Sequence, residues 1–204
     1  MASDDPMASL PLTLADIDAS TWVELVNAVA DPQSGFRYLT LCSVDAESKP
    51  QARMVVLRDA DRATRTLAFH TDVRSPKWLE LSRNPHMTIL GFCGQTRLQL
   101  RLQGTARIYS PDSAVANHAW QALPSWTRQT YTGGPPGNEH ADATLTETDA
   151  LQGTHDTKGK MHFGVIHFKT RTLDWLQLRR RHNLRARLSY DASGILVDVR
   201  WINP

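Results

Sequence analysis

Between residues 97 and 103 the chain alternates without a break. Leu98, Leu100 and Leu102 share one parity, and Arg97, Gln99, Arg101 and Gln103 share the other. Successive side chains of extended backbone point to opposite faces, so this run is a strand with one buried and one polar face. It sits within a strand expected over 96–109. Further strand patterns lie at 36–44, 51–58, 64–70, 86–93, 161–168, 171–178, 184–190 and 195–202. Most follow one another through short turns, which predicts hairpins and an antiparallel sheet. So many strands leave exposed edges unless the sheet closes. The expected class is therefore mainly β with a few helices, built as an antiparallel barrel.

Three helices are expected between the strands. The first spans 21–30, with Thr21 and Glu24 as a capping box, and is stopped by Asp31-Pro32. The second starts at Ser75-Pro76-Lys77, a capping serine followed by proline at the first helical position, and stops at Asn84-Pro85. The third covers 111–123 behind Ser110. Residues 1–20 read as a loose N-terminus. Residues 132–160, with five glycines and little periodicity, read as a long loop.

A chain of 204 residues buries about 70% of its surface on folding, so it forms a core without disulfide staples. One domain over 1–204 is expected. Cys42 and Cys93, the only cysteines, sit in apolar runs and read as buried thiols of a reducing compartment. No run approaches the ~20 apolar residues of a membrane span. The acidic start Met-Ala-Ser-Asp-Asp-Pro is not a secretory signal. A cytoplasmic protein is expected, without membrane association. A net charge of +2 is too weak to announce a nucleic-acid partner, and no cysteine or histidine cluster has metal-ligand spacing.

Four features carry chemistry. Phe69-His70-Thr71-Asp72-Val73-Arg74-Ser75-Pro76-Lys77 runs from a strand into a helix start, where free backbone N–H groups and the helix dipole favour an anion. Thr71 and Ser75 add hydroxyls and Lys77 a charge, although the same residues would also serve as a plain helix cap. Arg53 lies on a strand that is apolar on both faces, which suits cover on two sides. Its guanidinium wants an anion, either a ligand or one of Asp59, Asp61 and Asp72. Gln99 offers a planar amide that can donate and accept towards a heteroaromatic ring, or is simply an exposed glutamine. Arg185 and Arg187 share a strand face beside Arg179-Arg180-Arg181. They suit a nucleic-acid patch, an anion site or plain solubility.

The runs Arg53-Met54-Val55-Val56-Leu57-Arg58, Phe69-His70-Thr71-Asp72, Ser75-Pro76-Lys77, Asn84-Pro85 and Gln99 ahead of Gly104 occur in a familiar order and spacing. Together they resemble the pyridoxamine 5′-phosphate oxidase-like family of FMN-binding split barrels, well over 36–108 and loosely over 162–204. The resemblance implies a homodimer of split β-barrels with two FMN molecules at its interface. Arg53 and Lys77 would hold the FMN phosphate, helped by Thr71 and Ser75. The backbone of Met54, Val55 and Val56 and of His70 would line the flavin. Gln99 from the second subunit would bond the ring edge, and Arg187 would sit near its pyrimidine end.

The departures concern the substrate. Arg58 stands where the oxidase has lysine, and Asn183 and Arg185 replace its substrate-contacting arginine and histidine. Its phosphate-gripping tyrosine, arginine and serine have no counterparts around 119–127, and Gly133-Gly134-Pro135-Pro136-Gly137 replaces its Gln-Ser pair. The resemblance thus implies an FMN-dependent oxidoreductase of changed substrate, with Arg58 and Arg185 as substrate contacts. No protein acid or base stands out. The alternatives are true pyridoxamine 5′-phosphate oxidase, a protein that binds flavin, haem or deazaflavin without turnover, and an RNA-binding β-barrel.

Overall fold

A computed structural model describes residues 13–138 and 156–204. In chain order the elements are α1 (Leu14–Ala28), β1 (Tyr38–Val44), β2 (Pro50–Val56), β3 (Asp59–Asp61), β4 (Thr66–Asp72), α2 (Pro76–Arg83), β5 (His86–Cys93) and β6 (Leu98–Tyr109). There follow α3 (Ala114–Gln121), α4 (Ser125–Gln129), α5 (Asp156–Lys160), β7 (Phe163–Gln177), β8 (Leu184–Tyr190) and β9 (Leu196–Trp201).

All strand pairs are antiparallel, in the order β2-β1-β5-β6-β7-β4-β3, with β8 added to β7 and β9 to β8. The two ends of the path, β2 and β3, are joined by only Leu57 and Arg58, so the sheet must curl back on itself. Backbone bonds hold the seam: Leu57 N–H donates to Arg37 O at 3.0 Å and Arg58 N–H to Ala68 O at 2.9 Å. The split arises in β7. Its first half pairs β4 and its second half pairs β8, while β6 runs beside both. The two strands expected at 161–168 and 171–178 are thus one strand, bent where the β6 register slips between Gln103 and Gly104. A Cβ at Gly104 would lie 2.0 Å from the Lys169 carbonyl oxygen, so only glycine lets the strands approach there.

The inward parity of the strands forms the core. Leu39, Leu41, Ile89, Leu100, Leu102 and Leu173 are fully buried, and Ile17, Trp22 and Leu25 of α1 plug one opening. A buried network ties α1 to the sheet. Tyr190 donates to Asp18 at 2.7 Å, Trp22 Nε1 donates to Tyr190 OH at 3.1 Å, and Arg65 pairs with Asp18 at 2.7 Å.

Several boundaries move. The N-terminal helix begins at Leu14, so residues 14–20 are not loose. The capping box belongs to Thr13 and Asp16, and Thr21 is buried in mid-helix. The third helix is capped by Ser113, not Ser110, and is followed by α4. The expected 132–160 loop ends in α5, and its 139–155 portion lies outside the described residues, as do residues 1–12. Among the described residues no helix is long and apolar enough to cross a membrane.

Candidate functional site

The strand-to-helix turn after β4 gathers the first group. Thr71 and Ser75 are buried with their hydroxyls 3.2 Å apart, and Ser75 Oγ donates to Asp72 O at 2.6 Å. Ser75 is the N-cap residue by backbone geometry, but its side chain does not bond into the helix as a cap would. Asp72 is taken by its neighbour: Arg74 Nη2 lies 2.6 Å from one carboxylate oxygen, and Arg74 N–H donates to the other at 2.8 Å.

Arg53 reaches this turn from β2. Its partner is a carboxylate, but none of the three that sequence proximity suggests. Arg53 Nη2 pairs with Glu80 at 2.9 Å, and its other arm donates to Ser43, whose hydroxyl donates to Glu80. Glu80 lies three residues after Lys77, one helical turn away, so both stand on the same side of α2. That spacing was the available signal for Glu80. Lys77 is half-buried and makes no hydrogen bond or ion pair among the described residues. Burial lowers its pKa first and neighbouring Arg53 further, against Asp72 and Glu80, which raise it. The result is a partly desolvated ammonium with free donors beside a guanidinium already held in place.

Gln99, Arg185 and Arg187 lie on the sheet's outer face. The register aligns Met54, Thr40, Leu90, Arg101, Asp174, Arg187 and Arg200 across seven strands in one row. A neighbouring row carries Val56 and Tyr38 at one end and Phe92, Gln99, Leu176 and Arg185 at the other. From β2, β6 is three strand spacings away and β8 five, or about 14 and 24 Å along the sheet at ~4.8 Å each. Along the sheet of one chain, Arg53 is therefore held apart from Arg187. Arg185 is engaged: its Nε and Nη2 both sit 2.8 Å from Asp174, which Arg101 also contacts at 2.6 Å. Burial pushes the Asp174 pKa up, but the bonds from Arg185 and Arg101 outweigh it and hold the carboxyl below its ordinary value. Arg187 has no such partner among the described residues. β2 is an edge strand, and Met54 on its outer face is 62% exposed. Nothing in the described chain supplies the second cover expected for this strand.

A cleft of about 670 Å³ opens beside His70, between β4, the first half of β7, and α3. Arg58 and His118 line it, though sequence reasoning had not marked His118. His70 Nδ1 is buried without a partner among the described residues, and the ring packs edge-on against Phe163 at 4.9 Å. Burial, reinforced by Arg58 and His167, pushes the His70 pKa down to about 4, so the imidazole is neutral.

A split antiparallel barrel with a cationic strand-to-helix turn defines the class. Residues 19–110 match the family profile described as pyridoxamine 5′-phosphate oxidase, FMN-binding domain. The pyridoxine/pyridoxamine 5′-phosphate oxidase of Paraburkholderia phymatum is 35% identical over 81 residues, covering 40% of this chain and 37% of that protein. The same-named protein of Bordetella pertussis is 28% identical over 161 residues, 76% of this chain and 73% of that one. The matches to the first of these relatives span about two-fifths of their length. Among solved structures, a pyridoxamine 5′-phosphate oxidase-related, FMN binding protein from Nostoc punctiforme PCC 73102 superposes over 100% of both chains, with a TM-score of 0.75 at 20% identity. PhzG from Burkholderia lata 383 does so over 100% of this chain and 98% of that one, at 0.64 and 14%. Residues 19–110 thus carry the match to the pyridoxamine 5′-phosphate oxidase FMN-binding domain, and the whole chain shares the fold of split barrels of that kind.

Proposed function

We propose that two copies of this chain bind FMN between them and act as a flavin-dependent oxidoreductase. The observation that carries this reading is Lys77, a half-buried cation without a partner among the described residues, set beside Arg53 and the Thr71 and Ser75 hydroxyls at the start of α2. Such a cluster fits a phosphate monoester, which brings up to two negative charges and three acceptor oxygens. The orphaned His70 Nδ1 next to this turn fits a polar atom of the same ligand or its substrate.

In this reading Lys77 and Arg53 bind the phosphate, and Glu80 and Ser43 fix the direction of Arg53. The backbone of Met54, Val55 and Val56 on the open edge strand supports the flavin. Gln99 and Arg187 of the second copy complete the site, because in one chain the sheet sets them three to five strand spacings from Arg53. Gln99 orients the ring edge through its amide. Arg187 places an unpaired positive charge where negative charge gathers on reduction. When bound, FMN supplies hydride acceptance and donation. The homodimer buries Met54 and Tyr38, both exposed in the single chain.

The test is a visible spectrum of the freshly purified protein, with the released cofactor identified by mass and the assembly sized by sedimentation. A flavin spectrum, an FMN mass and a dimer are expected. A colourless monomer that takes up no added FMN refutes the proposal and returns the Lys77 turn to a plain helix start.

A further inference from the structure

The cleft beside His70 has a composition of its own. Its wall on α3 and the turn after it is made of small apolar groups, Ala114, Val115, Ala119, Ala122, Leu123 and Pro124. Val165 and Ala68 of the sheet face them across the gap. Its volume falls within the ~300–1,000 Å³ typical of small-molecule sites.

Two guanidiniums enter this apolar space. Arg37 donates through Nη1 to the carbonyls of Val29 and Leu57 and meets no carboxylate. Arg58 is half-buried, and its side chain makes no hydrogen bond or ion pair among the described residues. Burial is the main influence on its charge, and its charged or phenolic neighbours are Tyr131, Arg37 and Tyr38. Burial pushes the Tyr131 phenol up to about 12, so it brings no negative charge near neutral pH. Asp59, the one carboxylate on the lining, instead acts on His167 and accepts from Ala60 N–H. A half-buried guanidinium with no counter-charge is costly to keep. It signals an anion that arrives with the ligand.

The nature of the anion follows from the remaining donors. A phosphate ester calls for several, and hydroxyls or an ammonium usually join the guanidinium. Among the described residues, the lining holds no lysine, serine, threonine or tyrosine. It offers the Arg58 fork, whose geometry matches a carboxylate, and the imidazoles of His70, His118 and His167. His70, kept neutral by its surroundings, meets a neutral polar atom. We infer that this cleft takes a small, flat, largely apolar molecule bearing a single carboxylate, with the carboxylate on Arg58 and the ring system against the Ala119 wall. This names the substrate class for the flavin site proposed above and rests on that reading. It departs from a phosphorylated pyridine, which this lining is not equipped to grip.

Calorimetric titration of the purified full-length protein with three probes of one ring size tests the inference: 2-naphthoate, 2-naphthamide and 2-naphthyl phosphate. The acid is expected to bind at least tenfold more tightly than the amide, and no less tightly than the phosphate ester. Arg58→Met should erase the acid's advantage while leaving amide binding within threefold. The comparison in the unsubstituted protein stands even if that variant does not fold. Equal binding of acid and amide, a phosphate ester tenfold tighter than the acid, or no binding of any probe at 1 mM overturns the inference. Flavin content, read from the spectrum of the same sample, separates the two claims. Flavin present without the acid preference refutes the substrate class alone, whereas absent flavin that cannot be restored refutes the cofactor reading on which it rests.

Discussion

Lys77→Met is the substitution that most directly interrogates the proposed phosphate site. Methionine keeps an unbranched stem of similar bulk, so the packing of the α2 first turn is preserved and the charge is removed. Because Lys77 makes no ion pair or hydrogen bond in the described chain, its loss strands no buried partner, and stability should hardly change. The full effect falls on the ligand. A charge-assisted hydrogen bond is worth about 1.5–3 kcal/mol, or about 10- to 150-fold in Kd. Arg53 compensates little, since Glu80 already takes much of its field at 2.9 Å. Riboflavin supplies the control, because it carries the same ring without the phosphate. Flavin fluorescence quenching, titrated with FMN and with riboflavin, should show FMN weakened by that factor and riboflavin unchanged. Equal weakening of both would mean that Lys77 supports the ring or the fold. A change of less than threefold in FMN affinity would remove Lys77 from the site.

Asp18→Ala removes the acceptor shared by Tyr190 and Arg65 in a buried network and should cost about 3–5 kcal/mol, read from urea unfolding. The His70 imidazole protonates near 4 when folded and near 6.5 when unfolded, so the unfolded chain binds more protons between those values. Its contribution is complete above pH 6.5 and is lost as pH falls towards 4, by at most about 3 kcal/mol, and His70→Phe should flatten that limb in urea midpoints measured from pH 7.5 to 4.5. Met54→Asp places a charge on the exposed outer face of edge strand β2 and should shift sedimentation towards monomer, with flavin lost in parallel.

Much of the architecture could be read from periodicity. The strands at 86–93 and 184–190 match their expected limits, because an alternating run bounded by turn residues has few other solutions. The misses share a physical cause. Thr21-Trp22-Val23-Glu24 has the spacing of a capping box, but Thr13 and Asp16 have it too and lie one turn beyond Ile17 and Asp18, which pack inwards. Tertiary burial decided between two locally acceptable starts. Likewise, Lys169 and Thr170 fall between the strands expected at 161–168 and 171–178 and read as a break. A long strand changing neighbours tolerates polar residues at its bend, where β6 slips register around Gly104.

The candidate site was legible in proportion to how local it is. Thr71, Ser75 and Lys77 lie within seven residues, and one turn brings them together whatever the rest of the chain does. Arg53 was legible as a cation in need of an anion, but its partner was not. Glu80 faces it only because α2 packs against β1, the neighbour of β2, a long-range placement that no spacing near Arg53 encodes. Gln99 and Arg187 form the opposite case. Their parity was readable, and the sheet puts them on the expected outer face, yet three to five strand spacings separate them from Arg53 on β2. One ligand can join the two groups only if the outer faces of two copies meet. The same meeting covers β2, whose double apolar pattern has no second cover within the described chain. In the proposed dimer, apolar Met54 on an uncovered edge and unpaired Arg187 on the far side of the same face would be answered by one contact, with a second molecule of this chain.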